Sequence, residues 1–246
     1  MFDVNLFFTE IPWLGEPLRK MLEKCQENGV KGGLISPLDA RLERVTERFN
    51  ERLLEELRKT GFNDFYVAIA VNPEIPFKWD SLRSLSDDKR VRALRIYPLE
   101  HEYQDNSSVL EKAFEMALKL NLPLMITCRA EWGKPVPNIG LISKIASKFK
   151  DVSVILTGLN YSETLQIVKT LQDLNNVSVE ISFFHQLNGL ELLVTRLGED
   201  RVLFGSAFPL QNLEVGILKL LMSRIDENAR RLVARENALR ILGLEG

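Results

Sequence analysis

Histidine and cysteine are the scarce residues of this 246-residue chain, at two each: His101 and His185, Cys25 and Cys128. The commonest catalytic zinc sites draw on two or three histidines, so a family of that kind would have to use every imidazole present. The cysteines stand too far apart for a CxxC motif and are too few for a disulfide framework, which makes the cytosol the expected compartment. Charge of one sign is missing as well. Lys and Arg number 32 and Asp and Glu 34, a formal net charge of -2, so no whole-protein field draws in nucleic acid or an anionic membrane. No apolar run approaches the ~18 residues that span a bilayer. The start, Met1-Phe2-Asp3-Val4-Asn5, lacks the basic segment of a signal peptide. Neither GxGxxG nor GxxxxGK(S/T) occurs, which disfavours nucleotide binding in either familiar form.

What is present is an ordinary packed-protein composition, 45% apolar and 27% charged, and a regular alternation. Runs rich in β-branched and aromatic residues lie at 2–8, 30–35, 65–71, 91–97, 122–127, 152–157, 177–183 and 202–205, each followed by a segment of helical period. Their starts are roughly 25 to 35 residues apart, the length of one strand, one helix and two short loops. Eight such units predict a single (β/α)8 TIM barrel of the α/β class, one domain over residues 1–246. A doubly wound open sheet uses the same alternation, but Thr9 to Gly15 after the first run holds no glycine-rich turn. Apolar residues at every fourth position of 109–118 predict a helix with one packed stripe. Ser162 and Asp226 are predicted N-caps, and the mixed charges of 41–59 predict a solvated outer helix. On the fourth strand Arg95 shares the inward parity of Ala93 and Tyr97, while Leu94 and Ile96 face the helices. A buried arginine needs a carboxylate, here Glu180 or Asp3, or an anionic ligand.

The end of the chain carries the most specific pattern. Asp200-Arg201-Val202-Leu203-Phe204-Gly205-Ser206-Ala207-Phe208-Pro209 resembles the strand 8 signature of the amidohydrolase superfamily, in its branch of TIM-barrel metal-dependent hydrolases and decarboxylases. Glu236-Asn237-Ala238-Leu239-Arg240-Ile241-Leu242-Gly243-Leu244 is similar to that branch's closing helix, so a C-terminal helical extension is expected. Leu94 to Pro98 with His101-Glu102-Tyr103, Pro123 to Cys128, and Val154 to Gly158 resemble its strands 4, 5 and 6. The resemblance implies one or two divalent ions held by an HxH on strand 1, histidines after strands 5 and 6 and an aspartate after strand 8. Those positions fall here on Asn5 and Phe7, Thr127, Gly158 and Ala207. Phe7, Gly158 and Ala207 bring no side-chain donor, and Asn5 and Thr127 bring neutral oxygens that replace imidazole poorly on zinc. No metal and no other cofactor are expected.

On this fold, chemistry sits at the carboxyl ends of the strands. Asn5, Arg95, His101, Thr127, Cys128 and Trp132 are candidate ligand-binding residues there. A catalytic set would use Arg129, together with Arg95, to bind a carboxylate or stabilise an oxyanion and His185 or Glu131 as base. Four of these have a plainer alternative: an inert buried thiol for Cys128, hydrogen-bonded loop histidines for His101 and His185, a cover on the barrel mouth for Trp132. The leading reading is a metal-free relative that binds a small molecule or acts without catalysis. Beside it stand a metal-independent hydrolase or lactonase for a small carboxylate-containing substrate, and a metal-dependent hydrolase with substitute ligands such as His101, His185 and Glu10. The expected partner is a small-molecule ligand, with homo-oligomerisation open and neither nucleic acid nor membrane involved.

Overall fold

The computed structural model describes residues 1–76, 79–130 and 138–244. Eight parallel strands follow in chain order: β1 (Phe2–Phe8), β2 (Gly32–Pro37), β3 (Phe65–Ala70), β4 (Val91–Ile96), β5 (Leu124–Thr127), β6 (Val154–Thr157), β7 (Val177–Glu180) and β8 (Val202–Leu203). Backbone bonds from Val4 N to Phe204 O (3.0 Å) and from Phe7 N to Phe208 O (2.8 Å) bring the first strand against the segment after the last. The result is the expected TIM barrel. Strands β3 and β4 end one residue before their apolar runs, and β7 and β8 end sooner still. After Glu180 the chain turns, with Phe184 N donating to Ile181 O, and after Leu203 the amide of Phe204 turns to Val233 O.

The strands alternate with α1 (Leu18–Glu27), α2 (Glu47–Thr60), α3 (Trp79–Ser86), α4 (Ser107–Leu120), α5 (Ile139–Ala146), α6 (Thr164–Leu171), α7 (Gly189–Leu197) and α8 (Leu213–Leu221). The predicted stripe of 109–118 is the buried face of α4, and the charged 41–59 segment supplies α2, whose solvent face is laced with ion pairs such as Lys59–Glu55. Asp226 caps the helix after it, accepting from Ala229 N at 2.8 Å. Ser162 does not cap. Asn160 does, accepting from Ser162 N, while Glu163 returns a bond to Asn160 N, so both free donors are met one turn earlier. Among the described residues no helix is long and apolar enough to cross a membrane.

Strand alternation sorts the interior into levels. Leu94, Ile96 and their counterparts face the helices in the large outer core. Inside the barrel, Phe2, Val4, Leu34, Ala68, Ala93, Met125, Ile155 and Leu203 form an apolar floor. The floor is closed from below by Ala238 and Leu242, from α10 (Asn237–Ile241) and the residue after it, which follow α9 (Glu227–Arg231) as a C-terminal extension. Phe7, Ala70, Tyr97, Phe183 and Ala207 form an apolar level near the carboxyl ends. On β4 the order is Ala93 in the floor, then Arg95, then Tyr97 above, so a polar level lies between two apolar ones.

Candidate functional site

Arg95 is the centre of that polar level and is 0% exposed. Its Nε donates to Thr127 Oγ1 at 2.9 Å, Nη1 to Ser36 Oγ at 3.1 Å and Nη2 to Thr157 Oγ1 at 3.2 Å. The guanidinium carbon lies 4.3 Å from the Phe7 ring centre and 5.4 Å from that of Tyr97. Of the five N–H groups a guanidinium carries, the other two meet no acceptor among the described residues. The inward parity expected of Arg95 is thus observed, but neither carboxylate expected to pair with it does so. Glu180 acts on it only through the longer-range field, and burial pushes its pKa below the ordinary value. Spacing along β1 and β7 gives the height of a carboxylate in the barrel, not its lateral reach.

Glu180, 1% exposed, is held on the opposite side by its own set of donors. Oε1 accepts from Gly158 N at 2.8 Å, Ser182 Oγ at 2.7 Å and Asn5 Nδ2 at 3.3 Å, and Oε2 from Ser182 N at 2.6 Å. Gly205 makes the room, since a Cβ there would stand 2.3 Å from Oε2. A carboxylate so saturated is poorly placed to take a proton from a substrate. Sequence reasoning named Glu180 only as a partner for Arg95; its spacing from Ser178 and Ser182, two residues either way, was the signal of an inward polar rung. Asp3, on the same strand as Asn5, accepts from Asn5 N and Ser206 N through Oδ1, while Oδ2 has no partner among the described residues. Burial raises its carboxyl from 3.8 to about 6, with the charge of Glu180 adding to the effect.

The other predicted residues are dispersed. Arg129 pairs with Glu163 at 3.1 Å, both at 3% exposure or less, so its charge is met by a carboxylate of the chain itself. Cys128 lies 3.9 Å from Ile126 O, and burial pushes its thiol far above the usual range, against a nucleophilic role. His101 ties two loops together through Nε2 and Ala40 O at 3.1 Å, and burial lowers its pKa. His185 Nε2 bonds Gln211 Oε1 at 3.1 Å; partial desolvation first, and then the Lys219 ammonium, lower its pKa. Asn5 and Thr127 belong to the two cradles already described. Glu131 and Trp132 lie outside the described residues.

The five positions where the resemblance places metal ligands do not fit a divalent ion. Thr127 accepts from the guanidinium, Phe7 lies under it, and any ion there would be repelled by it. Gly158 has φ 75°, and a Cβ on it would lie 1.9 Å from Arg129 O, so that position holds no side chain. Ala207 stands at φ 57° and is fully buried. Asn5 contributes one unpartnered neutral oxygen, Oδ1. Among the described residues no three His, Cys, Asp or Glu side chains gather where they could hold a metal.

A (β/α)8 barrel with buried polar groups at the carboxyl ends of its strands defines the class. The amidohydrolase family profile matches residues 40–244, and the chain belongs to that family. Its fold is shared by 5-carboxyvanillate decarboxylase from Sphingomonas paucimobilis, at 14% identity over 100% of this chain and 99% of that chain, with a TM-score of 0.77. It is likewise similar to 2,6-dihydroxybenzoate decarboxylase from Rhizobium, at 15% identity, 100% and 99% coverage and a TM-score of 0.69. Amidohydrolase 2 from Bifidobacterium longum subsp. infantis is 16% identical over 100% of both chains, with a TM-score of 0.69. No curated protein matches the sequence.

Proposed function

We propose that this chain is a metal-free, non-hydrolytic member of the amidohydrolase family whose barrel mouth receives a small organic carboxylate. The observation that carries the reading is the guanidinium of Arg95, fully buried among the neutral hydroxyls of Ser36, Thr157 and Thr127, the last at a position where the family resemblance calls for a metal ligand. It supplies a fixed positive charge without a metal, and its two unmatched N–H groups suit the paired oxygens of a carboxylate. Glu180, saturated by four donors, is not itself a free base. The decarboxylases that share the fold are named for aromatic carboxylates, which makes benzoates and hydroxybenzoates the first probes.

Two measurements test this. Protein purified without chelator should contain less than about a tenth of a metal ion per chain, and a stoichiometric metal would restore the reading with substitute ligands. Calorimetric titration with benzoate and 2,6-dihydroxybenzoate should give binding in the wild type that Arg95→Lys weakens at least about tenfold, because an ammonium lacks the planar fork. Turnover of lactones or carboxylate esters that survives chelation would instead favour the metal-independent hydrolase.

A further inference from the structure

Outer helices of a barrel bury one stripe and present charge to water. α2 obeys this, with Arg48, Glu51, Arg52, Glu55, Arg58 and Lys59 all exposed. α8 does not. Its inner stripe, Leu213, Gly216, Ile217 and Leu220, is buried, yet its outer face carries Val215, Leu218 and Leu221, followed by Met222, at 40, 54, 53 and 78% exposure. Lys219, which might have broken that face, turns inward and donates to Ile181 O and Ser182 O. Glu214 is the only charged residue exposed along the helix. A helix apolar on both sides is normally covered on both sides.

We infer that the outer face of α8 is a self-association surface, paired about a twofold axis with α8 of a second copy of this chain. Val215, Leu218 and Met222 fall at i, i+3 and i+7, the seam by which two helices interlock. A twofold axis near Leu218 sets that seam against itself, as an isologous contact requires. Antiparallel pairing also matches charge. Glu214 stands in the first turn and Arg224 just past the last, so the acidic end of each helix meets the basic end of the other. The Arg224 guanidinium has no acceptor or ion pair among the described residues, and Glu214 has only Lys24 at 3.7 Å, a pair exposed on both sides and weak. The four apolar side chains expose on the order of 400 Å², about half of the ~800 Å² each partner gives to a standard interface. That supplies most of the apolar centre of such an interface, with the polar rim left to the neighbouring loops.

Sedimentation velocity on the full chain from about 1 to 100 µM tests the inference. The wild type should sediment as a dimer. Leu218→Glu should raise the dissociation constant at least about 100-fold, while Leu165→Glu, at a still more exposed leucine elsewhere, should leave it unchanged. Arg224→Glu should weaken the dimer, and combining it with Glu214→Arg should recover it. A wild type that stays monomeric at the top of this range overturns the inference, whatever else then covers the face. A dimer indifferent to Leu218→Glu overturns the assignment to α8.

Discussion

Two buried charges of opposite sign share the middle of this barrel without touching, and a third, Asp3, sits beside them half-provided for. The folded chain holds the Asp3 proton more tightly than the unfolded chain does, since burial lifts its pKa from 3.8 to about 6. Its contribution to stability is therefore full below about pH 4 and is lost as pH rises through about 6, a change on the order of 3 kcal/mol. Asp3→Asn keeps an oxygen for the amides of Asn5 and Ser206 and carries no charge. Urea unfolding at pH 7 should find the variant about 1–3 kcal/mol more stable than wild type, with the difference vanishing near pH 4. An equal or lower stability at pH 7 would mean that the ionised carboxylate is compensated. At this scale the sequence was informative about direction and silent about partners. Parity on β4 turned Arg95 inward, but side chains from β2, β5 and β6 converge on it, and no linear spacing reveals which strands face each other across a barrel. Cys128 and the histidines attract chemical attention by type, whereas their surroundings use them for packing and loop tethering.

At the scale of elements, the two most recognisable motifs turn out to be stitching. Arg201 of the strand 8 signature donates to Leu197 O at 2.7 Å, Leu171 O at 2.8 Å, Leu174 O at 2.6 Å and Gln172 O at 3.1 Å, closing the carboxyl ends of α6 and α7 with one guanidinium. Asn237 of the closing motif reaches Glu199 O and Val202 O and fastens α10 to β8. That is why the fold was legible from these segments while the chemistry was not: they record how the barrel is sewn, independently of what its mouth does. Ser162 shows the local limit, since a hydroxyl at the right distance from a helix start yields when a neighbouring Asn–Glu pair forms a complete capping box. Gly158 permits a direct check. Gly158→His, which writes the family ligand back in, drives a Cβ into Arg129 O and should destabilise the protein by roughly 3–5 kcal/mol. Thermal unfolding with and without zinc should show that loss and no rescue by the metal; wild-type stability with one bound zinc would contradict the fit described here.

For the whole molecule, the barrel depends on both ends of the chain. Phe2 and Val4 share the floor with Ala238 and Leu242, and Asp3 receives Ser206 N. A chain ending at residue 236 loses this cover and the two Asn237 bonds, about 4 kcal/mol together. For a protein of this size that corresponds to a fall in Tm of about 10 °C, measurable by calorimetry alongside new binding of a hydrophobic dye. An unchanged Tm would show the floor to be self-sufficient. The same closure sets the order of events at birth. β1 is buried along its whole length, yet the partners that complete its burial lie past β8. During synthesis Phe2, Val4 and Phe7 wait, uncovered on one side, until β8 and the segment after it are made, at rates of ~5–20 residues per second. The emerging chain therefore presents a chaperone with β1 until β8 and α10 leave the ribosome.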